Sequence, residues 1–203
     1  CWSCSVNPNT YHEKDYPLTL GEKRSVLVIG GGPGGMEAAI TAKQRGFDVE
    51  LWEKSAELGG TLLVAGAPSF KQDVMKYVSY LKDKTARENV EVKLLKEATA
   101  EEILAGNFDK VILAAGSRPL MPPIPGINGK NVKTSTEALL GAPVGKNVVV
   151  IGGGLVGCET AADLKEKAEN VTIIEMLNDI LLTADHSKNN DQSLRDLIKA
   201  KEI

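Results

Sequence analysis

Residues Ser25–Glu53 read SVLVIGGGPGGMEAAITAKQRGFDVELWE, and this stretch decides how the remainder of the 203-residue chain is interpreted. It begins with an apolar run, passes through a cluster of glycines, continues with helical periodicity and ends in a second apolar run closed by an acid. This order predicts a buried strand, a tight turn, a helix and a second strand parallel to the first.

The spacing of the glycines fits a site for a dinucleotide. In the pattern G-x-G-x-x-G the first glycine makes the tight turn, the second lets the backbone approach a pyrophosphate, and the third allows close packing of helix on strand. Gly30, Gly32 and Gly35 occupy these positions, with Gly34 beside them. The amides at the start of the following helix then face the phosphates. Glu53 stands where a carboxylate accepts hydrogen bonds from a ribose.

The same pattern occurs a second time, 122 residues further along the chain. Residues Asn147–Glu175 read NVVVIGGGLVGCETAADLKEKAENVTIIE. In both copies the acid follows the third glycine by 18 residues. The repeat therefore predicts a second nucleotide site, formed by Gly152, Gly154, Gly157 and Glu175. A carboxylate at Glu175 repels the extra phosphate of NADP, so we expect NAD(H) at this site.

Composition narrows the class of protein. The chain is 42% hydrophobic and 25% charged, with a formal net charge of -3 and a pI near 5.6. These values give no basic surface for nucleic acid or an anionic membrane. No apolar run approaches the ~20 residues that span a bilayer, and the first residues do not show the basic-then-apolar pattern of a signal peptide. We therefore expect a cytoplasmic protein. Three cysteines, an odd number, do not favour a disulfide framework.

The order of motifs predicts an α/β fold with two Rossmann-like units, each a parallel sheet with flanking helices. We expect a linker at residues 1–24, the first unit at 25–119, a proline-rich connector at 120–146 and the second unit at 147–203. Lys110–Ala115 is an apolar run that predicts a buried parallel strand. Two T-x-x-E sequences, beginning at Thr99 and Thr134, predict capping boxes of short helices. Because no third strand follows Glu175, we expect both units to be incomplete and the chain to be a fragment of a larger polypeptide.

The lead-in to the first unit carries a family resemblance. The sequence Cys4-Ser-Val-Asn-Pro8, followed by VLVIGGGPGGMEAA, resembles the junction in the iron-sulfur flavoprotein branch of the old yellow enzyme family. That branch includes 2,4-dienoyl-CoA reductase, 2-enoate reductase and trimethylamine dehydrogenase. The resemblance implies that Cys4 is the last ligand of a 4Fe-4S cluster. It also implies an N-terminal flavin barrel and a C-terminal remainder as partners in the same polypeptide. Cys1 does not match the spacing of the other ligands.

The resemblance assigns further residues to the first site, which it identifies as an FAD site. The family has a Leu-Gly-Gly step where this chain has Leu58-Gly59-Gly60; a plain turn is the alternative interpretation. Thr61 departs from the family, which usually has Gln or His there. Ala114-Ala115-Gly116 resembles the family's A-T-G step. The residues assigned to this site beyond the glycine motif and Glu53 are Lys54, Gly60, Thr61, Ala98, Ala115 and Gly116.

The resemblance implies an NADH-dependent flavin oxidoreductase that reduces activated C=C bonds through FAD, 4Fe-4S and FMN. No catalytic acid or base is identified in this chain. Neither glycine-motif helix carries a paired dithiol, which disfavours disulfide-reductase chemistry. Two alternatives remain open: an electron-transfer protein similar to the small subunit of glutamate synthase, and an ADP-binding structural module of an amine dehydrogenase. The substrate and the oligomeric state of the full-length protein are left open by the sequence.

Overall fold

A computed structural model of the chain describes Cys4, Asn7 and residues 9–182 and 188–203. These residues form an alternating series of strands and helices. The strands are β1 (Ser25–Ile29), β2 (Asp48–Trp52), β3 (Glu91–Lys93), β4 (Lys110–Leu113), β5 (Asn147–Ile151) and β6 (Asn170–Ile174). The helices are α1 (Pro33–Gln44), α2 (Thr61–Ala65), α3 (Gln72–Arg87), α4 (Ala100–Ala105), α5 (Ser135–Leu139), α6 (Leu155–Leu164) and α7 (Lys188–Ala200).

The chain divides into two compact units. The first contains residues up to 66 together with 73–117, and the second contains residues 67–72 and 118–203. Each unit has its own parallel sheet and its own apolar core. The predicted α/β fold class, with parallel sheets and flanking helices, is confirmed.

The first unit contains a four-stranded parallel sheet with the strand order β3-β2-β1-β4. Strand β1 pairs with β2 on one side, where Val26 lies opposite Val49, and with β4 on the other, where Val26 lies opposite Lys110. Helix α1 packs on this sheet through Met36 and Ile40, both fully buried. Since β1 is flanked on both sides and covered by α1, the loop between them lies at the centre of the carboxyl edge of the sheet.

The prediction of a buried strand at Lys110–Ala115 is wrong in its burial. Strand β4 is parallel to β1 as expected, but it is an edge strand whose four residues are all exposed. Leu113 retains 74% of its accessible surface. A continuous apolar sequence favours a buried strand, but it does not specify which elements of the fold cover that strand.

The second unit repeats the first part of this arrangement. Its described residues form a two-stranded parallel sheet in which β5 pairs with β6, and α6 connects the two strands. Cys158, Ala161 and Ala162 of α6 are fully buried against this sheet. Helices α5 and α7 also contact α6 and complete the core of the unit.

Both predicted capping boxes are present. The side chain of Thr99 accepts a hydrogen bond from the N–H of Glu102, and the carboxylate of Glu102 accepts one from the N–H of Thr99. Thr134 and Glu137 form the same pair of bonds at α5. Each box satisfies two amides that the helix itself leaves unpaired. In the described part of the chain no helix is long and apolar enough to cross a lipid bilayer.

Candidate dinucleotide sites

The glycine loop of the first unit turns sharply between β1 and α1. Gly30 has φ +106°, which L residues with a side chain rarely adopt, and its N–H donates to the carbonyl of Trp52. A Cβ at Gly35 would overlap the carbonyl oxygen of Gly30. The first and third glycines are therefore required by the packing of the chain on itself.

Packing within the chain does not account for the second glycine of the motif, Gly32. Gly32 has an extended backbone that any residue adopts, and a Cβ placed on it would meet nothing within 4 Å. The same open space surrounds Gly34. The first hydrogen bond inside the helix runs from the N–H of Met36 to the carbonyl of Gly32. The N–H groups of Gly34 and Gly35 therefore have no acceptor inside the helix. The start of helix α1 therefore offers both open space and unpaired N–H donors, which together suit the binding of an anionic group.

Glu53 fixes the central part of this loop. One carboxylate oxygen accepts the N–H of Gly31 at 2.5 Å, and the other accepts the N–H of Ser55 at 2.7 Å. Only 7% of Glu53 is exposed. Burial acts to raise the pKa of this carboxyl group, but the two backbone N–H donors outweigh it, so that the pKa lies below its ordinary value. The acid is therefore ionised and oriented beside the open space.

The Leu-Gly-Gly step packs directly on the glycine loop. The N–H of Gly59 donates to the carbonyl of Gly31 at 2.8 Å. Gly60 has φ +53°, and a Cβ there would lie 2.9 Å from the Cα of Gly32. The backbone at Gly60 thus contacts the backbone at Gly32, which a side chain at Gly60 would prevent. Helix α2 begins at the next residue, Thr61.

The other residues assigned to the first site lie at varying distance from the loop. Lys54 is exposed directly after Glu53, and Ala98 is half-buried two residues beyond Lys96, whose N–H donates to the Glu53 carbonyl at 2.9 Å. Ala115 lies next to Gly30, because its Cα would be 3.2 Å from a Cβ there. Gly116 has φ +72° and is surrounded by open space.

The second unit reproduces this geometry at the predicted residues. Gly152 has φ +104°, a Cβ at Gly157 would overlap the Gly152 carbonyl, and a Cβ at Gly154 would meet nothing within 4 Å. The carboxylate of Glu175 accepts the N–H of Gly153 at 2.6 Å and that of Leu177 at 3.0 Å. These backbone donors lower the pKa of Glu175.

Sequence reasoning missed the residues that connect the acid to the loop. Gly31 and Gly153 donate their N–H groups to the carboxylates, and their carbonyls accept the N–H groups of Gly59 and Leu181. The signal was present, because Gly59 and Leu181 are separated by the same 122 residues as the glycine motifs. It was obscured because Leu181 is a leucine at φ +60°, where the first copy has a glycine.

The described cysteines occupy contrasting environments. Cys4 is exposed, whereas Cys158 is buried on α6 and donates to the carbonyl of Gly153 at 3.4 Å. Burial raises the pKa of the Cys158 thiol to about 11. Cys158 is fully buried in the core of the second unit, where it acts as a packing residue. Cys1 lies outside the described residues, and those that are described contain no group of three or more side chains suited to holding a metal.

Comparison with known proteins is consistent with the class that the fold and the sites define, a module with two dinucleotide-binding units. The family model for pyridine nucleotide-disulphide oxidoreductases matches residues 24–203. Cinnamate reductase of Clostridium sporogenes is 42% identical over 206 residues, covering 99% of this chain and 30% of that protein. NADH oxidase of Thermoanaerobacter brockii is 45% identical over 186 residues, covering 88% of this chain and 29% of that protein.

A solved structure shows the same arrangement. The complex of 2-naphthoyl-CoA reductase with 2-naphthoyl-CoA superposes with a TM-score of 0.90 at 33% identity, covering 98% of this chain and 31% of that one. The chain spans about 30% of the length of these relatives.

The chain belongs to the pyridine nucleotide-disulphide oxidoreductase family, whose members bind FAD and NAD(P). It is similar to the FAD- and NAD-binding part of enoate-reductase-like flavoproteins. The resemblance stated from the sequence is thereby confirmed.

Proposed function

We propose that this chain is the electron-input part of an NADH-dependent flavin oxidoreductase that reduces activated C=C bonds of the enoate or enoyl-CoA type. Relatives named cinnamate reductase and 2-naphthoyl-CoA reductase support this class of substrate over the glutamate synthase and amine dehydrogenase alternatives. The relative named NADH oxidase supports NADH as the reductant.

The observation that carries the proposal is the open space at Gly32 and Gly154. Nothing in the protein prevents a side chain at either position, yet both copies have glycine beside unpaired helix amides. A glycine that packing does not require is accounted for by close approach of a ligand backbone, here a pyrophosphate. Since this occurs twice in the same geometry, two dinucleotides are the simplest occupants.

The chain's own residues bind and orient these ligands. FAD and NADH supply the hydride chemistry when bound, and the protein supplies placement and electrostatics. In each unit the helix amides face the pyrophosphate, and the acid, already ionised, accepts the ribose hydroxyls with its remaining lone pairs. We assign to FAD the residues Gly30, Gly32, Gly34, Gly35, Glu53, Lys54, Gly60, Thr61, Ala98, Ala115 and Gly116, and to NAD(H) the residues Gly152, Gly154, Gly157 and Glu175.

We further propose that residues 1–24 are a linker, that the two nucleotide units are 25–119 and 147–203, and that 120–146 connects them while packing with the second unit. In this proposal Cys4 is one ligand of a 4Fe-4S cluster, for which its exposed position is suitable. The remaining ligands would come from outside the described residues, because a cluster of this kind takes four thiolates. The cytoplasm is the proposed location.

The experiment replaces the second glycine of each site in the flavin-loaded protein. Gly154→Ala is expected to slow the reduction of flavin by NADH at least about tenfold, the equivalent of about 1.4 kcal/mol, while flavin content and Tm stay at their wild-type values. Gly32→Ala is expected to weaken flavin retention instead. Anaerobic stopped-flow absorbance gives the rate, and NADH is expected to outpace NADPH in the wild type. Wild-type rates in Gly154→Ala, or faster reduction by NADPH, would contradict the proposal.

A further inference from the structure

The segment Leu177–Leu181, called here the latch loop, holds the second glycine loop in place from one side. Its last residue, Leu181, donates its N–H to the carbonyl of Gly153 at 2.7 Å. At the same residue, the N–H of Gly153 donates to the carboxylate of Glu175. The side chain of Ile180 also packs there, because a Cβ at Gly153 would lie 2.7 Å from its Cγ2. The shape of the nucleotide loop thus depends on the position of the latch loop.

The latch loop is in turn held by one side chain of helix α7, Arg195. Its Nη1 donates to the carboxylate of Asp179 at 2.9 Å, and its Nη2 donates to the carbonyl of Ile180 at 2.5 Å. Its Nε donates to Asp191, one turn earlier on the same helix, at 2.9 Å. The guanidinium is therefore fixed to its own helix by one bond and to the latch loop by two.

The Asp179 carboxylate completes this arrangement. Its other oxygen accepts the N–H of Ile180 at 2.8 Å. Because the carbonyl of Ile180 and the N–H of Leu181 belong to one peptide unit, the guanidinium bound to that carbonyl orients the N–H that reaches Gly153. A rigid guanidinium with several donors in a fixed plane suits this task better than a flexible amine.

The first unit contains a corresponding contact. Glu57 stands 122 residues before Asp179, and its carboxylate pairs with Lys82 of α3 at 2.8 Å. In both units, therefore, the acid at this position of the loop bonds a cation on the next long helix. This recurrence associates the ion pair with the dinucleotide site, because the acid of the ion pair repeats at the same 122-residue spacing as the glycine loop.

We propose that Arg195 is a positioning residue for the second nucleotide site, setting its affinity for the pyridine nucleotide without touching it. This inference rests on the proposed function, which assigns that site to NAD(H). With Arg195 in place the latch loop is ordered before the nucleotide arrives, so binding does not bear the cost of ordering it. Without Arg195 the loop samples other positions, and only a fraction of molecules presents Gly153 and Glu175 correctly.

The expected consequence is a selective effect on binding. The latch loop contacts the glycine loop, which is proposed to hold the pyrophosphate rather than the reacting end of the nucleotide. Arg195→Met keeps the length of the side chain and removes its charge and its donors. We expect it to raise the KM for NADH and the Kd for NAD+ about tenfold, with kcat within about twofold of wild type; a tenfold change corresponds to about 1.4 kcal/mol.

The test uses the flavin-loaded protein and two independent measurements. Steady-state kinetics separates KM from kcat, and calorimetry with NAD+ gives affinity without turnover. Lys199→Met, on an exposed position of the same helix, is the matched control and is expected to change neither value. Lys82→Met is the counterpart in the first unit and is expected to weaken flavin retention while leaving the KM for NADH unchanged.

Two further variants keep the test decisive if Arg195→Met does not fold. Asp179→Asn leaves the helix intact and removes the charge from the latch loop, and it is expected to raise the Kd for NAD+ in the same direction. Arg195→Lys is expected to restore part of the affinity, because an ammonium pairs with Asp179 but cannot bond both acceptors in the fixed geometry. Affinity for NAD+ within twofold of wild type in both Arg195→Met and Asp179→Asn would overturn the inference, whatever the change in Tm. A wild-type protein that binds no NAD+ would instead refute the proposed function.

Discussion

Glu53 and Glu175 each use both carboxylate oxygens to accept backbone N–H groups. In each case one oxygen bonds the central glycine of the loop and the other bonds the residue two positions after the acid. An ionised carboxylate offers about four lone-pair sites, so about two stay available for ribose hydroxyls. In the proposed function, one residue therefore shapes the glycine loop and also presents an acceptor to the nucleotide.

The lowered pKa of Glu53 makes the stability of the protein depend on pH. Burial raises this pKa, the backbone bonds from Ser55 and Gly31 lower it, and the net position is below the ordinary value of 4.5. A carboxyl group with a depressed folded pKa contributes stability that is complete above its unfolded pKa and is lost as the pH falls through the folded pKa. We expect Glu53→Gln to lower the Tm near neutral pH and the difference from wild type to shrink below pH 4.5.

Thermal unfolding between pH 3 and pH 7 measures this effect. Glu97→Gln, an exposed carboxylate in the same unit, serves as the control and is expected to follow the wild type at every pH. A difference between Glu53→Gln and wild type that stays constant across this range would show that the ionised carboxylate contributes nothing through its bonds to Gly31 and Ser55.

At this scale the sequence identified the acids and the glycines but not their mutual contacts. The spacing from Gly35 to Glu53 requires only that the acid follows the second strand. Whether its oxygens reach Gly31 depends on the direction of one peptide N–H, which is set after β1 and β2 have paired. Leu181 escaped notice for a related reason, since sequence patterns seldom assign a leucine to positive φ.

The elements of the two units correspond closely. Strand β5 begins 122 residues after β1, α6 the same number after α1, and β6 the same number after β2. The sequence predicted these elements because strand, glycine turn and helix are all encoded locally. It did not predict the exposure of β4, because the position of a strand within the sheet order depends on the whole unit.

The two capped helices α4 and α5 test what a capping box contributes in different settings. Helix α5 buries Ala138 against the core of the second unit, whereas α4 has no buried residue. Thr134→Ala is expected to lower the free energy of unfolding by about 1 kcal/mol, the typical contribution of an N-cap. Thr99→Ala is expected to speed hydrogen exchange within residues 100–105 with little effect on global stability, because that helix can open locally.

Chemical denaturation and amide hydrogen exchange on both variants distinguish these outcomes. Thr134→Ser and Thr99→Ser retain the hydroxyl acceptor and are expected to behave as wild type. Equal losses of global stability in Thr99→Ala and Thr134→Ala would show that packing of the helix against the core does not determine how much the loss of its N-cap lowers the free energy of unfolding.

Across the whole molecule, the two units share their loop geometry, although a glycine that bonds the loop in the first unit is replaced by a leucine in the second. The first has Gly59 at φ +127° and the second has Leu181 at φ +60°, buried in the core of its unit. A side chain at this position adds apolar packing to the second unit, which has only two described strands in its sheet. The repeat thus preserves the bonds to the glycine loop while the surrounding core changes.

The environment of Cys158 bears on whether this thiol can take part in disulfide chemistry. The family description names disulphides, and reduction of a disulfide by a flavoenzyme needs a reactive, paired dithiol. The thiol of Cys158 is buried, has a pKa of about 11 and bonds the Gly153 carbonyl. A thiol with this pKa is almost entirely protonated at neutral pH and is a poor nucleophile. The geometry of α6 therefore gives Cys158 a packing role beside the second glycine loop.

We expect Cys158→Ala to leave the rate of flavin reduction by NADH within about twofold of wild type. The Gly153 carbonyl keeps its bond from Leu181 when the thiol is removed, so the loop retains its shape. Stopped-flow absorbance measures the rate, and NADH-dependent turnover with a small aromatic disulfide measures disulfide reduction, expected to be negligible in wild type and variant alike. Rapid disulfide reduction that disappears in Cys158→Ala would place this thiol in the reaction and contradict the assignment. Loss of flavin reduction alone would show that the weak bond from sulfur to Gly153 is needed for the nucleotide loop.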